Sequence, residues 1–409
     1  MAVRVLIVDD SGFFRHRISE LLASDPRIEV VGSASNGREG IEQVKKLRPD
    51  VVTMDVEMPQ MNGIEAVRII MRDCPTKVMM LSSLTQEGAR VTLQALEAGA
   101  VDYLSKDMRA WMDRSLSLQK QLCDKIVTIG SQGRALTPFM ARSRAKEGQS
   151  STTMVFRPQR SRSSDAAAAS ASPAPAAQST VNSRAASTAT STALRRPLGG
   201  GAAADLAARS TLRGSQRLAI PRDTRLVVIG SSTGGPAALQ EILTQLPASF
   251  PYPLLLIQHM PKTFTTVFAE RLNQQCQIAV KEAEDGDRLQ PGRALLAPGG
   301  HQLIVDGKQH DRIRILPGDD RLTYKPSVDV TYGSAAKSYG NRVLAIILTG
   351  MGADGSEGAR LLKQAGAHVW AQSKDSCTIF GMPQAVIKAG LANEILDLEQ
   401  IGPILSGGR

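Results

Sequence analysis

The chain has 409 residues, enough for two or three domains, with ordinary apolar content and few aromatics, which disfavours a base-stacking platform. Its net charge of +10 is carried wholly between Gly130 and Ala219, where 12 Arg and one Lys face three acids. Isolated Arg among Ser and Ala reads as a solvated tether, so nucleic acid is not an expected partner. The four cysteines (Cys74, Cys123, Cys276 and Cys377) form no CxxC pair, which argues against a zinc site or a disulfide framework. No signal-peptide pattern opens the chain and no apolar window reaches the ~18 residues of a membrane span, so a cytoplasmic setting without membrane insertion is expected.

Residues 1–123 alternate short apolar runs with segments of helical spacing. The runs are Val3–Val8, Glu29–Ala34, Val51–Met54, Val78–Leu81 and Val101–Leu104, and the helical segments include Ile18, Leu21, Leu22 and Ile64, Val67, Ile70, Met71. Strands each followed by a helix predict a doubly wound, five-stranded parallel α/β sheet, with ligands outside the carboxyl ends of the strands. Asp9 and Asp10 close the first strand and Asp55 the third. Three converging carboxylates repel one another and suit a hard divalent cation. Ser82 closes the fourth strand and Lys106 follows the fifth. A hydroxyl and an ammonium at that rim are what a phosphoryl group on a carboxylate needs.

Periodicity then dissolves, and residues 124–219 are expected to be a disordered Ala/Ser/Arg-rich linker. Order is predicted to return over 220–409 as a second α/β domain with a mainly parallel sheet. Its elements are strands at Leu226–Ile229, Leu254–Ile257, Val343–Leu348 and His368–Ala371, with helical segments at Ala237–Leu246 and Phe264–Leu272. The first strand runs into Gly230-Ser231-Ser232-Thr233-Gly234, a G-x-S-x-G pattern centred on Ser232 and followed by a helix. Such a turn exposes the hydroxyl and aims helix N–H groups at a developing oxyanion. A Gly-rich loop after a strand also cradles phosphates, although no P-loop Lys follows this one.

A serine nucleophile needs a base, and the base an orienting acid. Among five histidines, His16 belongs to the first helix, His301 and His310 flank a hairpin-like stretch, and His368 opens a buried strand. His259 ends the strand after the serine strand and is the base candidate. Asp354, in Thr349–Gly355, is the acid candidate, and the Met351 N–H in the same loop is a candidate oxyanion donor. The resulting order Ser, His, Asp differs from that of the α/β-hydrolases, which would require His368 as base.

Val8–Ser11, Met54–Gly63 (MDVEMPQMNG), Leu81–Ser83 and Ser105-Lys106 resemble the receiver domain of two-component response regulators. The resemblance implies Mg²⁺ at Asp10, Asp55 and the Glu57 carbonyl, with Asp9 in the acidic cluster, and phosphorylation of Asp55. Asp107 stands where receivers often carry Pro. Ile229–Pro236, Ile257–Pro261, Ala283–Asp287, Leu296–Gly299, Pro326–Val330, Leu348–Gly355 and Phe380–Pro383 resemble the chemotaxis protein-glutamate methylesterase family. That resemblance implies Ser232 as nucleophile, His259 as base and Asp354 as orienting acid. Ser231 stands where relatives often carry Ala. It further implies hydrolysis of glutamate methyl esters and deamidation of glutamines on chemotaxis receptors, a chemotaxis histidine kinase as phosphodonor, and no cofactor for the ester chemistry. A monomer is expected, with Thr85–Leu96 forming part of the face by which the receiver docks over Ser232. A DNA-binding output domain is the rival reading, but no compact helix-turn-helix is visible. A nucleotide-binding output domain would use Gly230–Gly235 as its phosphate cradle.

A flexible chain of about 90 residues has a root-mean-square span of ~50 Å. Limited proteolysis is therefore expected to cut first between Gly130 and Ala219 and leave two stable fragments. Early cleavage inside either fragment, seen by mass spectrometry, contradicts this domain map.

Overall fold

In the computed structural model residues 2–112, 116–131, 218–319 and 321–407 are described, and the linker expectation falls almost wholly outside them. In the N-terminal domain β1 (Val3–Val8), β2 (Ile28–Ala34), β3 (Val51–Asp55), β4 (Lys77–Ser82) and β5 (Asp102–Ser105) form a parallel sheet in the order β2-β1-β3-β4-β5. Helices α1 (Gly12–Ala23), α2 (Gly37–Leu47), α3 (Gly63–Asp73), α4 (Gln86–Glu97), α5 (Met108–Met112) and α6 (Leu116–Ser131) connect and flank it. Small polar residues start the helices: Ser11, Asn36 and Thr85 each accept a backbone N–H, and Asn62 forms a capping box with Glu65. The last helix extends past the expected boundary at residue 123. It continues to Ser131, burying Ile126 and Ile129, while Lys77 Nζ donates to the Ile129 carbonyl at 2.8 Å. Two apolar side chains one helical turn apart give the extra turns their anchor.

The C-terminal domain has a seven-stranded parallel sheet. Its strands are β6 (Leu226–Ser231), β7 (Leu254–Gln258), β8 (Ala279–Glu282), β9 (Arg293–Leu296), β12 (Val343–Ile347), β13 (His368–Gln372) and β14 (Glu394–Leu396), in the order β14-β13-β12-β6-β7-β9-β8. An antiparallel hairpin of β10 (His301–Val305) and β11 (Ile313–Pro317) stands apart, with His310 in its turn. Helices α7 (Gly235–Leu243), α8 (Lys262–Gln275), α9 (Val328–Tyr339), α10 (Ser356–Gln364), α11 (Met382–Lys388) and α12 (Leu398–Leu405) complete the domain. Central strands β6, β7 and β12 are buried on both faces, which explains their unbroken apolar runs.

Register brings the candidate residues together. Val8 pairs with Met54, so Asp9 and Asp55 follow on adjacent strands, and Ser82 pairs with Ser105, one residue before Lys106. Ser231 pairs with Gln258, so Ser232 and His259 leave neighbouring strands at the same level.

The two domains touch through α4 and β5 on one side and α8 and the serine loop on the other. Glu97 of α4 takes a two-pronged ion pair from Arg271 of α8, with Nε at 2.6 Å, and also accepts from Gln275 at 3.2 Å. The Tyr103 ring stacks on Phe264 with centroids 4.5 Å apart and an interplanar angle of 8°. Thr233, next to Ser232, donates to the Asp102 carboxylate at 2.7 Å. The segment Thr85–Leu96, expected at the docking face, contains most of α4. Among the described residues no helix is long and apolar enough to cross a membrane.

Candidate active site and acidic pocket

Two adjacent serines end the β6 strand, and their surroundings separate them. Ser231 is fully buried and its hydroxyl donates to Gln258 Oε1 at 2.7 Å. Gln258 Nε2 in turn donates to the carbonyls of Ser232 at 2.9 Å and His259 at 3.2 Å. Ser231 thus ties two strand ends together, while Ser232 is half-buried and lines a cleft. The turn is tight enough to demand glycine. A Cβ on Gly235 would lie 2.1 Å from Gln258 Oε1, and one on Gly350 would lie 2.8 Å from the Ser232 Cβ.

His259 binds Asp354 through Nε2, at 2.7 Å to Oδ2. Its Nδ1 is buried and makes no hydrogen bond among the described residues, leaving it as the ring nitrogen open to a neighbouring hydroxyl. Asp354 is heavily engaged. Besides His259 it accepts from Ser327 Oγ at 2.9 Å and from the backbone N–H groups of Val328 at 2.7 Å, Asp329 at 3.0 Å and Gly355 at 3.1 Å. Burial alone pushes its pKa up, but the bond to His259, that ring's charge and the backbone donors outweigh burial and hold it below the usual carboxylate value. The neighbouring Asp329 is pushed up to about 6, first by burial and also by the Asp354 charge. Met351 lies on the cleft wall in the loop that carries Asp354.

The cleft has a volume of about 940 Å³ and is lined from both domains. Asp102, Lys120 and Lys125 of the N-terminal domain face Ser232, His259 and Met351 across it. Four side chains that shape this site are assigned no role by the sequence: Gln258, Ser327 and Thr233, which lie inside the methylesterase-like motifs, and Tyr324, which lies in none. Only the bonding geometry reveals them, although Gln258 sits at the predicted rim between Ile257 and His259.

In the acidic pocket Lys106 Nζ bridges Asp9 Oδ2 at 2.7 Å and Asp55 Oδ2 at 2.6 Å. The Phe14 ring lies beneath the ammonium, 4.6 Å from it. Asp55 Oδ1 accepts from the Val56 N–H at 2.8 Å. Burial pushes Asp55 up to about 6 against the pull of Lys106, and burial also raises Asp9. Asp10 is exposed, and carboxylate oxygens of Asp9, Asp10 and Asp55 lie within 4.8 Å of one another. Three acids cluster around a single ammonium that pairs with only two of them, so the donor set fits a divalent cation, whose charge would offset the remaining repulsion. Glu57 lines the mouth of this pocket beside Asp10. Ser82 is at its expected strand end, but its hydroxyl donates to the Gly88 carbonyl at 3.1 Å in the first turn of α4.

Comparison with known proteins agrees with both domains. Residues 5–111 match the response regulator receiver domain and residues 227–405 the CheB methylesterase family. A protein-glutamate methylesterase/protein-glutamine glutaminase of Pseudomonas putida is 54% identical over 402 residues, covering 98% of both chains. The chain belongs to that family. A Pseudomonas aeruginosa protein of the same description is also 54% identical, with 98% of each chain covered. The Thermotoga maritima CheB methylesterase catalytic domain, known as a crystal structure, is 41% identical, with a TM-score of 0.43 over 45% of this chain and 98% of its own. A receiver domain in front of a methylesterase domain makes the chain a response regulator whose output is a hydrolase.

Proposed function

We propose that the chain removes methyl groups from glutamate γ-methyl esters, and deamidates glutamines, on chemotaxis receptors, with Ser232, His259 and Asp354 as its catalytic triad. The observation that carries this reading is the His259–Asp354 bond through Nε2, which leaves the buried Nδ1 free to serve as base toward Ser232, a residue lining the same cleft from the neighbouring strand end. Ser232 Oγ adds to the ester carbonyl carbon as its proton passes to Nδ1. The Met351 N–H supports the oxyanion. Collapse breaks the carbon–oxygen bond, and methoxide takes the proton from His259 and leaves as methanol. Water, deprotonated by the same Nδ1, then attacks the acyl carbon and releases Ser232 and the glutamate carboxylate. A glutamine follows the same course with ammonia as the leaving group. Asp354 keeps its charge throughout, because five donors hold it.

The receiver is the proposed control element. A receptor helix with its side chains is ~10–12 Å across. It cannot reach Ser232 while Asp102 holds Thr233 and Glu97 holds Arg271. A kinase-derived phosphoryl group on Asp55 offers Lys106 and Ser82 new partners. Drawing Ser82 inward removes its bond to Gly88, at the start of the helix that carries Glu97. Mg²⁺, held by Asp10, Asp55 and the Glu57 carbonyl beside Asp9, would supply charge neutralisation there. The proposed setting is the cytoplasm, with the chain acting as a monomer and a chemotaxis histidine kinase as its phosphodonor.

Methanol release from methylated receptors tests the triad. Ser232→Ala and His259→Ala are expected to lose several orders of magnitude in kcat, and Asp354→Asn somewhat less. Ser231→Ala is expected to retain most activity, and a dead Ser231→Ala with an active Ser232→Ala overturns the assignment. For control, Asp55→Ala is expected to give a basal rate indifferent to phosphodonor. Removing residues 1–131, or breaking the Glu97 pair with Arg271→Ala, is expected to raise the unphosphorylated rate. A tenfold rise needs only about 1.4 kcal/mol. A truncated enzyme no faster than the unphosphorylated chain rules out occlusion. Since Asp55 is pushed up to about 6, protons compete with a cation below that pH. Calorimetric Mg²⁺ affinity is expected to be level above pH 7 and to weaken about tenfold by pH 5. Asp55→Asn should flatten this dependence.

A further inference from the structure

One aromatic side chain in the cleft has no part in the chemistry described so far. The Tyr324 ring lies parallel to the His259 imidazole, with centroids 4.1 Å apart and an interplanar angle of 6°. The segment that carries it is pinned. Gln302, almost fully buried, donates from Nε2 to the Tyr324 carbonyl at 2.8 Å and accepts the Ser327 N–H at 2.8 Å, and the Gly300 N–H donates to the Lys325 carbonyl at 3.0 Å. At its other end the phenol reaches the loop of Asp354. Gly352 has φ +90°, and a Cβ there would stand 2.8 Å from the Tyr324 hydroxyl. The ring is therefore built into the site from both ends.

We propose that Tyr324 is a positioning residue of the esterase, one that fixes the plane of the His259 ring and stabilises its protonated form. The inference rests on the triad reading. A single edge bond to Asp354 anchors one nitrogen but leaves the imidazole free to tilt about that bond. A parallel ring against one face blocks the tilt and keeps Nδ1 directed into the cleft. The face of a phenol ring also attracts a cation, and His259 becomes an imidazolium in each half of the reaction. The stack therefore favours the species that forms as the proton leaves Ser232. Burial, and then the Asp354 charge, push the phenol above its ordinary value, so Tyr324 stays neutral while the enzyme works. The charged groups around the imidazole are Asp354 on its edge, Asp329 behind that acid, Lys262 and Lys325 on the catalytic wall, and Asp102, Lys120, Asp124 and Lys125 across the cleft. Variants at position 324 leave all of these in place.

The test uses the full chain with a phosphodonor and a receptor fragment carrying glutamate methyl esters, and reads methanol release against pH. Tyr324→Phe keeps the aromatic face and is expected to stay within about twofold of the parent. Tyr324→Leu, with Tyr324→Met as a second aliphatic variant should the first not fold, is expected to lose about tenfold in kcat with little change in KM. The acid limb of its kcat profile is expected to move to lower pH by roughly half a unit to one unit, because the protonated ring has lost a stabilising partner. Tyr324→Leu with the parent's kcat and acid limb overturns the proposal. So does a loss confined to KM, or an equal loss in Tyr324→Phe, which would assign the effect to the hydroxyl. His259→Ala separates the two levels. If it keeps activity, the triad reading fails; if it is inactive while Tyr324→Leu is normal, only the role of Tyr324 fails.

Discussion

The catalytic half of this molecule is organised around one buried carboxylate. Asp354 takes hydrogen bonds from His259, from Ser327 and from three backbone N–H groups, and these fix more than an imidazole. Two of the backbone donors, Val328 and Asp329, belong to the first turn of α9, so the acid also serves as an anion at a helix N-terminus. The bond from Gly355 lies just before α10. A single charge thereby joins the ends of two helices to the end of β7. Removing it would leave a buried ring nitrogen and several N–H groups without partners, a loss spread over the whole rim rather than one contact.

The receiver makes use of the same rim. Its contacts fall on Thr233, one residue after the serine, and on α8, which starts three residues after His259. Both lie close in sequence to Ser232 and His259, yet neither of the linked side chains belongs to the proposed triad. Under the proposed occlusion, the chemistry would stay assembled while access is denied. The Glu97–Arg271 pair is partly exposed, so its net contribution is modest, about 1 kcal/mol or less. The Tyr103–Phe264 stack adds an apolar contact of similar size, about 0.5–1.5 kcal/mol. Individually small terms such as these are what the proposed control by a single phosphorylation requires.

Much of this was legible in the sequence. Alternating runs disclosed the receiver strands, and the placement of Asp9, Asp55, Ser82 and Lys106 followed from where those runs stop. Ser232 and Asp354 likewise lie in glycine-bearing loops that follow strands, and His259 directly follows the end of β7. Strands Ala279–Glu282, Arg293–Leu296 and Glu394–Leu396 escaped notice because they are short and only partly apolar, lying toward the sheet margins where one neighbour or less-buried surroundings suffice. The extension of α6 to Ser131 departs from the expected boundary because Ile126, Val127 and Ile129 carry the apolar pattern past Cys123, up to the Arg/Ser-rich stretch that opens at Gly130. The contacts of Gln258, Asp102 and Tyr324 were not legible, although Gln258 and Asp102 fall inside segments that the sequence marks out. Each acts through a contact with a residue far away in the chain, and spacing along a sequence carries no such information.

Asp55, at a strand end, and Asp354, in the loop after one, show how the same side chain is given opposite surroundings. Both are largely buried, and burial pushes both upward. Asp354 is outbid by its five donors and remains an anion. Asp55 has one backbone N–H and a share of Lys106, which Asp9 also claims, so its pKa settles at about 6. The difference lies in unmet demand. A carboxylate whose lone pairs are all engaged has nothing to offer an incoming group and serves to orient its neighbour. A carboxylate left short of donors is destabilised as an anion and gains most when a cation or a phosphoryl group arrives. The donors around each acid, His259 first and then the backbone N–H groups at Asp354 against one N–H and a shared Lys106 at Asp55, thus set the two carboxyls apart in the way the proposed roles of support and phosphoryl acceptor require.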